Sequence, residues 1–320
     1  ESDEEAILDR FYKNLEFGTG GLRGVIGAGT NRMNVYTVAQ ATQGLADYLN
    51  EEFDEPSVAI AYDSRIKSDV FAECAAGVLA ANGIKVYIYP ELMPTPMLSF
   101  AVRYFGCDAG VVITASHNPS KYNGYKCYDP TGYQITDEAA AKIYSYMKSV
   151  DMFDGVKRMS FEDALANDMV DYIEDWLKDE FIECVLDCAV NKDAVKKSGL
   201  KVLYTPLNGT GNKPVRRVLK KLGVQELQVV KSQEKPDGNF PTCPYPNPEI
   251  RQVFEEGLKM TEEFPADLML ATDPDCDRVG IAVRDGDDFV LMTGNEVGAM
   301  LCEYLLSNLK EQNKLPENPV

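Results

Sequence analysis

Histidine is nearly absent: His117 is the only one in 320 residues. A single imidazole excludes histidine-rich metal centres and forces any Ser-His-Asp triad to use this residue. Cysteine is present, eight times, but never as a CxxC pair. Cys184 and Cys188 would share a helix face, yet no second pair follows at zinc spacing, so reduced thiols in a cytoplasmic protein are the expectation. Long apolar runs are missing as well. The longest, such as Val58–Tyr62 and Gly110–Ala115, are strand-sized, against the ~18–20 residues that a bilayer needs. The opening Glu1–Ser2–Asp3–Glu4–Glu5 is unlike a cleavable signal. Basic residues are in deficit, 32 against 51 acidic, for a net charge of −19. Such a surface repels nucleic acid and anionic membranes, so neither is an expected partner. An anionic substrate would have to be drawn in by local clusters of Arg and Lys.

The apolar share, 45%, suffices for packed cores, and the length fits about two domains. Strand-like runs occur at Ser57–Ala61, Lys85–Tyr89, Gly110–Thr114, Lys201–Tyr204, Leu227–Val230, Leu268–Ala271 and Val279–Val283. Helical patterns lie between them. Val35, Val38, Thr42, Leu45 and Leu49 fall on one face. A second helix is predicted from Ser68 as N-cap to Gly83, with Val70, Cys74 and Val78 inward. A third is predicted behind Thr136 as N-cap, through Ala139, Ile143 and Met147, and a fourth behind Thr293–Gly294–Asn295. This alternation predicts an α/β fold with largely parallel pairing. Residues 149–163 lack an apolar period and read as a seam, with a second boundary near 288–296.

Three loops carry chemistry. Thr114–Ala115–Ser116–His117–Asn118–Pro119 follows a strand-like run, where α/β proteins build sites. Ser116 alone would be an ordinary turn serine. Lys121 and Lys126 change that reading, because two lysines would favour a doubly charged phosphoserine. Neighbouring side chains on an extended segment point apart, which argues against a Ser116–His117 hydrolase dyad. Asp273–Pro274–Asp275–Cys276–Asp277–Arg278 also follows a strand. Alternation on an extended stretch would put the three carboxylates on one side, a hard-oxygen set suited to Mg²⁺. An EF-hand would need Gly and Glu where Arg278 and Arg284 stand, and an aspartate-nucleophile phosphatase would need Thr or Val at Asp277. Gly18–Thr19–Gly20–Gly21–Leu22–Arg23–Gly24 reads as a flexible anion-wrapping loop with Arg23 as its charge, and it is not a Walker A motif. Asn208–Gly209–Thr210–Gly211 is a weaker version, expected to close a turn near the site.

These loops, in this order, resemble the α-D-phosphohexomutase superfamily, and the stretches 18–33 and 208–217 look most like its larger phosphoglucomutase-type members. Cys276 stands where many relatives have glycine and is small enough to leave the carboxylates undisturbed. The resemblance implies two consecutive three-layer α/β/α domains with mixed, mostly parallel sheets, spanning residues 1–160 and 161–290, with the start of a third at 291–320. It implies that Ser116 is the phosphoserine and that Asp273, Asp275 and Asp277 ligate one Mg²⁺ together with a phosphoryl oxygen of Ser116. Arg23, Lys126 and Arg278 would surround the transferring group, with Lys126 and His117 as acid/base candidates. Thr19, Gly20 and Asn118 would join Arg23, Lys126 and Arg278 in binding phosphate. The implied activity interconverts glucose 1-phosphate and glucose 6-phosphate through a hexose bisphosphate, with glucose 1,6-bisphosphate as activator and a monomer favoured. Phosphomannomutase, phosphopentomutase, a sugar-bisphosphate synthase or phosphatase and a non-catalytic metal-binding fragment stay open. Family members resemble a four-domain cleft, so the sugar-selecting loop is expected to lie outside these residues.

Overall fold

The computed structural model describes residues 3–18 and 20–318. It divides into two compact units, 1–177 with 237–239, and 178–236 with 240–320. The expected boundary at 160 therefore moves: residues 161–177 belong with the first unit because they add a strand to its sheet.

The first unit runs α1 (Glu4–Phe11), β1 (Gly21–Val25), α2 (Val35–Glu52), β2 (Ser57–Tyr62), α3 (Ser68–Ala81), β3 (Lys85–Ile88), α4 (Thr95–Phe105), β4 (Ala109–Ile113), β5 (Tyr122–Tyr128), α5 (Asp137–Ser149), α6 (Phe161–Ala166) and β6 (Val170–Tyr172). Its sheet has the order β1-β5-β4-β2-β3-β6. β2 pairs in parallel with β3 and β4, and β3 with β6, while β5 runs antiparallel to β4 and β1. Every residue of β4 is buried, as a central strand covered on both faces must be. Val58, Ile60, Val111 and Ile113 form the middle of the core, with Val38, Leu45 and Leu49 of α2 packed into the same cluster. α2 starts where Asn34 accepts from the N–H groups of Tyr36 and Thr37 and Thr37 answers the Asn34 N–H, a reciprocal cap. Thr136 caps α5 as expected. α3 departs from expectation. Ser68 is its first residue, its hydroxyl turned to Asp63, and the cap position is Lys67 at φ 64°. Val78 is buried as expected and Cys74 is half-buried against the core, but Val70 is 43% exposed, and Phe71, Ala72, Ala75, Ala76 and Leu79 are buried as well.

α7 (Asp175–Asp187) carries the chain into the second unit, followed by α8 (Ala194–Ser198), β7 (Lys201–Thr205), α9 (Asn212–Leu222), β8 (Glu226–Val229), α10 (Lys231–Glu234), α11 (Glu255–Met260), β9 (Leu268–Thr272), β10 (Val279–Asp285), β11 (Asp288–Met292) and α12 (Gly294–Glu311). The sheet order is β11-β10-β9-β7-β8, with β7, β8 and β9 parallel and β10 and β11 antiparallel. Leu203, Val253, Phe254, Ala266, Met269 and Ala282 fill its core. Arg217 and Lys221 of α9 pair with Asp179 and Glu183 of α7, one helical turn apart on each helix. The expected break near 288 is a strand, β11, and a capping box between Thr293 and Glu296 starts α12. Among the described residues, no helix is long and apolar enough to cross a membrane.

Candidate active site

The serine loop leaves the C-terminal end of β4, beside the end of the parallel strand β2. This is where an α/β sheet offers main-chain groups to a ligand. The loop turns at Ser116, which is 4% exposed and sits at φ 52°, a left-handed conformation rare for serine. The turn overturns the expectation that Ser116 and His117 diverge: Ser116 Oγ lies 3.2 Å from His117 Nδ1. Alternation of neighbouring side chains holds for extended backbone, and this backbone is not extended.

Two residues that sequence reasoning missed hold the loop. Asp63 and Arg65 follow β2, and both side chains are fully buried, with Arg65 Nε 3.4 Å from Asp63 Oδ2. The Arg65 guanidinium donates to the carbonyls of Ser116 (2.6 Å), Pro119 and Tyr122 (3.0 Å each) and to that of Asn118. Asp63 Oδ2 accepts from Thr114 Oγ1 (2.7 Å), and Thr114 Oγ1 in turn accepts the Ser116 N–H (2.8 Å). Both backbone groups of Ser116 are thus tied to one buried ion pair. The signal for them was positional: β2 was legible, and residues leaving its C-terminal end must lie beside those leaving β4.

The glycine loop is a strand over half its length. Gly21 through Val25 form β1, paired with β5 so that Gly21 lies opposite Lys126 and Arg23 opposite Gly124. Gly21 has no room for a side chain, since a Cβ there would meet the Tyr125 carbonyl oxygen at 1.8 Å. A cavity of about 510 Å³ opens on this strand, lined by Gly18, Gly20, Arg23, Lys126, Lys13 and Gln134 among others. Arg23 and Lys126 are thus brought to one cavity, and Lys13 is a cation the sequence did not single out. Thr19 lies outside the described residues.

The aspartate loop leaves β9 as a turn, not as an extended run, with Cys276 at φ 55°. That left-handed conformation is rare for a residue with a side chain. Burial pushes the Cys276 thiol up to about 12, with the neighbouring aspartates adding to it. Asp273, Asp275 and Asp277 each bring a carboxylate oxygen within 4.8 Å of the others. Asp273 and Asp275 are fully buried and Asp277 is exposed. The N–H groups of Asp277 and Arg278 donate to Asp273 Oδ1 at 3.2 and 3.0 Å, which closes the turn. Carboxylates held this close, two of them out of water, form a donor set that fits a hard divalent cation. Arg278 is exposed beside them. The segment 208–211 does abut this loop: the Thr210 N–H and hydroxyl both donate to the Pro274 carbonyl at 2.9 Å.

Comparison with known proteins matches residues 14–153 to the phosphoglucomutase/phosphomannomutase alpha/beta/alpha domain I and residues 179–286 to domain II of the same family. A phosphoglucomutase of Staphylococcus saprophyticus is 37% identical over 98% of this chain and 59% of its own length. The chain thus spans about three-fifths of that relative. A crystal structure of a Thermus thermophilus protein described as a phosphomannomutase superposes with a TM-score of 0.77 at 26% identity, covering 92% of this chain and 62% of that one. A phosphoglucomutase/phosphomannomutase family protein from Burkholderia thailandensis gives a TM-score of 0.71 at 23% identity, over 91% and 58% of the two chains. With both sheets, both loops and both family domains in place, the chain belongs to the phosphoglucomutase/phosphomannomutase family.

Proposed function

We propose that the chain carries the phosphoserine and metal-binding loops of a phosphoglucomutase. The observation that carries this reading is Ser116 itself: a buried serine in a left-handed turn, fixed at both backbone groups, with its hydroxyl 3.2 Å from the only imidazole. Strain held in place by surrounding bonds is a mark of a working residue. In the transfer, a bond forms between Ser116 Oγ and the phosphorus of a sugar bisphosphate, and the bond from phosphorus to the sugar oxygen breaks. The serine proton passes to His117 Nδ1 or to Lys126, and the same group hands it on to the departing sugar oxygen. Isomerisation follows when the phosphoserine gives its phosphoryl group to the free hydroxyl of a sugar monophosphate, and the resulting bisphosphate turns over in the site and returns its other phosphoryl group to Ser116. Asp273, Asp275 and Asp277 would hold Mg²⁺, which supplies charge neutralisation to the phosphoryl oxygens when bound. Arg23, Lys126 and Arg278 supply further positive charge, and Thr19, Gly20 and Asn118 bind phosphate. Catalysis is then mostly positioning and electrostatics. Glucose phosphate as substrate, glucose 1,6-bisphosphate as activator and the cytoplasm as location rest on the name of the 37% identical relative and on thiols that are all free among the described residues.

The test is intact mass and peptide mapping before and after glucose 1,6-bisphosphate with Mg²⁺. The expected result is one phosphoryl group on Ser116, absent in Ser116→Ala and reduced without Mg²⁺. No phosphoryl group under any condition would sink the reading. Rapid loss of the group to water as inorganic phosphate would replace the mutase with a phosphatase.

A further inference from the structure

Residues Asp237–Asn239 belong to the first compact unit, although the chain on either side of them belongs to the second. They are seated on the main chain of the turn that carries Arg65. A Cβ added to Gly238 would lie 2.5 Å from the Ile66 nitrogen, 2.8 Å from the Ser64 oxygen and 2.9 Å from the Arg65 carbonyl carbon. These are backbone atoms, which cannot swing aside as the tip of a long side chain can. The seat is shaped by Asp237 Oδ1, which accepts from the Asn239 N–H (2.9 Å) and side-chain amide (3.0 Å). Gly238 is buried.

From this seat two bonded routes reach Ser116. One runs through the Arg65 guanidinium to the Ser116 carbonyl at 2.6 Å. The other runs from the Arg65 N–H to Asp63 Oδ1 at 2.9 Å, and from Asp63 Oδ2 through the Thr114 hydroxyl to the Ser116 N–H. Both start from the Arg65 main chain, the element on which Gly238 rests. We propose that Gly238 is a positioning residue for Ser116: by seating Asp237–Asn239 on the Ser64–Ile66 main chain, it sets the Asp63–Arg65 pair and through it the direction of the serine hydroxyl. This rests on the reading of Ser116 as the phosphoryl acceptor. Acting through the Asp63–Arg65 pair, Gly238 affects rate and not sugar affinity. A side chain at 238 must push the Asp237–Asn239 and Ser64–Ile66 main chains apart, and a misplacement of ~1 Å can cost on the order of 10²-fold in rate.

The experiment compares the full 320-residue chain with Gly238→Ala, Asp237→Ala and Gly286→Ala. Gly286 sits at φ 62° in the β10–β11 turn with open space around it, so its substitution strains the backbone without touching the serine loop. Two readouts are taken: the rate of Ser116 phosphorylation by glucose 1,6-bisphosphate with Mg²⁺, and amide hydrogen exchange across residues 114–123. For Gly238→Ala we expect a rate at least about tenfold lower at saturating bisphosphate, with the half-saturating concentration within about twofold. Exchange across 114–123 rises, and exchange in β7 and β9 does not. Gly286→Ala matches the unsubstituted chain in both. A Gly238→Ala chain with unchanged rate and unchanged loop exchange overturns the proposal. If that variant does not fold, Asp237→Ala decides: it unlocks the seat without adding bulk, and the same two changes are expected, with their absence overturning the proposal. If the unsubstituted chain takes no phosphoryl group, the functional reading fails by itself. Loop exchange then decides the positioning role, faster in Gly238→Ala if it holds and unchanged if it does not.

Discussion

Replacing Asp63 with asparagine keeps the shape of the side chain and removes its charge. Asp63 Oδ1 accepts from Ser68 Oγ (2.8 Å) and the Arg65 N–H (2.9 Å), while Oδ2 accepts from Thr114 Oγ1 (2.7 Å) and faces Arg65 Nε at 3.4 Å. An amide can replace only one of these oxygens. With its oxygen in the Oδ1 place, its NH₂ points donors at the Thr114 hydroxyl and at the guanidinium. Arg65 then lacks this carboxylate at a site where both side chains are fully buried. Breaking a buried pair from one side costs about 3–5 kcal/mol. Trp176 is the only tryptophan, packed on Tyr104 and Phe105 in the first unit, so its fluorescence follows that unit in urea. A loss of that size lowers the midpoint by roughly 1 M or more. The double variant Asp63→Leu/Arg65→Met sharpens the test. An isolated ion pair replaced by apolar residues often regains its stability. Here four loop carbonyls lose their donor as well, so the double variant stays destabilised. Asp63→Asn within about 1 kcal/mol of the parent, or a fully stable double variant, would refute the reasoning.

Asp275→Ala is expected to weaken Mg²⁺ binding at least about tenfold by calorimetry, because it removes one of three converging carboxylates, and unchanged affinity would put the metal elsewhere. Tyr204→Phe removes the buried 2.8 Å contact with Thr272 Oγ1, directly before Asp273, and lowers the stability of the second unit by about 0.5–1.5 kcal/mol in denaturant unfolding. Burial, then Asp69 and Glu162, raise the pKa of Glu73, so the folded state holds this proton more tightly than the unfolded one. Its contribution to stability is full in acid and is lost as pH rises through the folded pKa. Glu73→Gln therefore raises the melting temperature at neutral pH relative to the parent, and the gain vanishes below the ordinary carboxylate range. Mild alkylation at pH 8 is expected to modify Cys184, Cys188 and Cys302, which are exposed, and to spare Cys107, Cys127 and Cys276, whose thiols burial pushes up.

Much of the fold was legible because its central strands are short apolar runs between helices. β2, β4, β7 and β9 carry no polar interruption that their sheets do not explain, and their positions placed both functional loops. β1 and β5 were not legible. Their sequences, Gly-Leu-Arg-Gly-Val and Tyr-Asn-Gly-Tyr-Lys-Cys-Tyr, are broken by glycines, Asn123 and Lys126, which strands disfavour, and pairing across the sheet overrides that preference. These are also the strands that bring Arg23 and Lys126 to one cavity, so the residues chosen for chemistry are those that hide the strand. In α3 the helix and the burial of Val78 were clear, but Val70 was misplaced and the alanine face went unseen. Alanines at 72, 75 and 76 carry the burial, and their small side chains leave little periodic signal beside Val70. The serine and aspartate loops were found by residue type, and the three aspartate carboxylates do converge, but the backbone of both loops was misjudged for a shared reason. Each contains one residue in the left-handed region, Ser116 or Cys276, and a single such residue cancels any inference from extended alternation. Asp63 and Arg65 carried no motif, only a place at the end of a strand.

The solitary histidine has a practical consequence. Because His117 is the only imidazole in the chain and lies against the Ser116 hydroxyl, the aromatic region of a magnetic-resonance spectrum holds one set of imidazole lines, and they need no assignment. Placement of a phosphoryl group on the serine, displacement of its loop or a change in its hydrogen bond would each move those lines. The residue that excludes a histidine metal centre by its rarity thereby supplies a built-in probe of the serine.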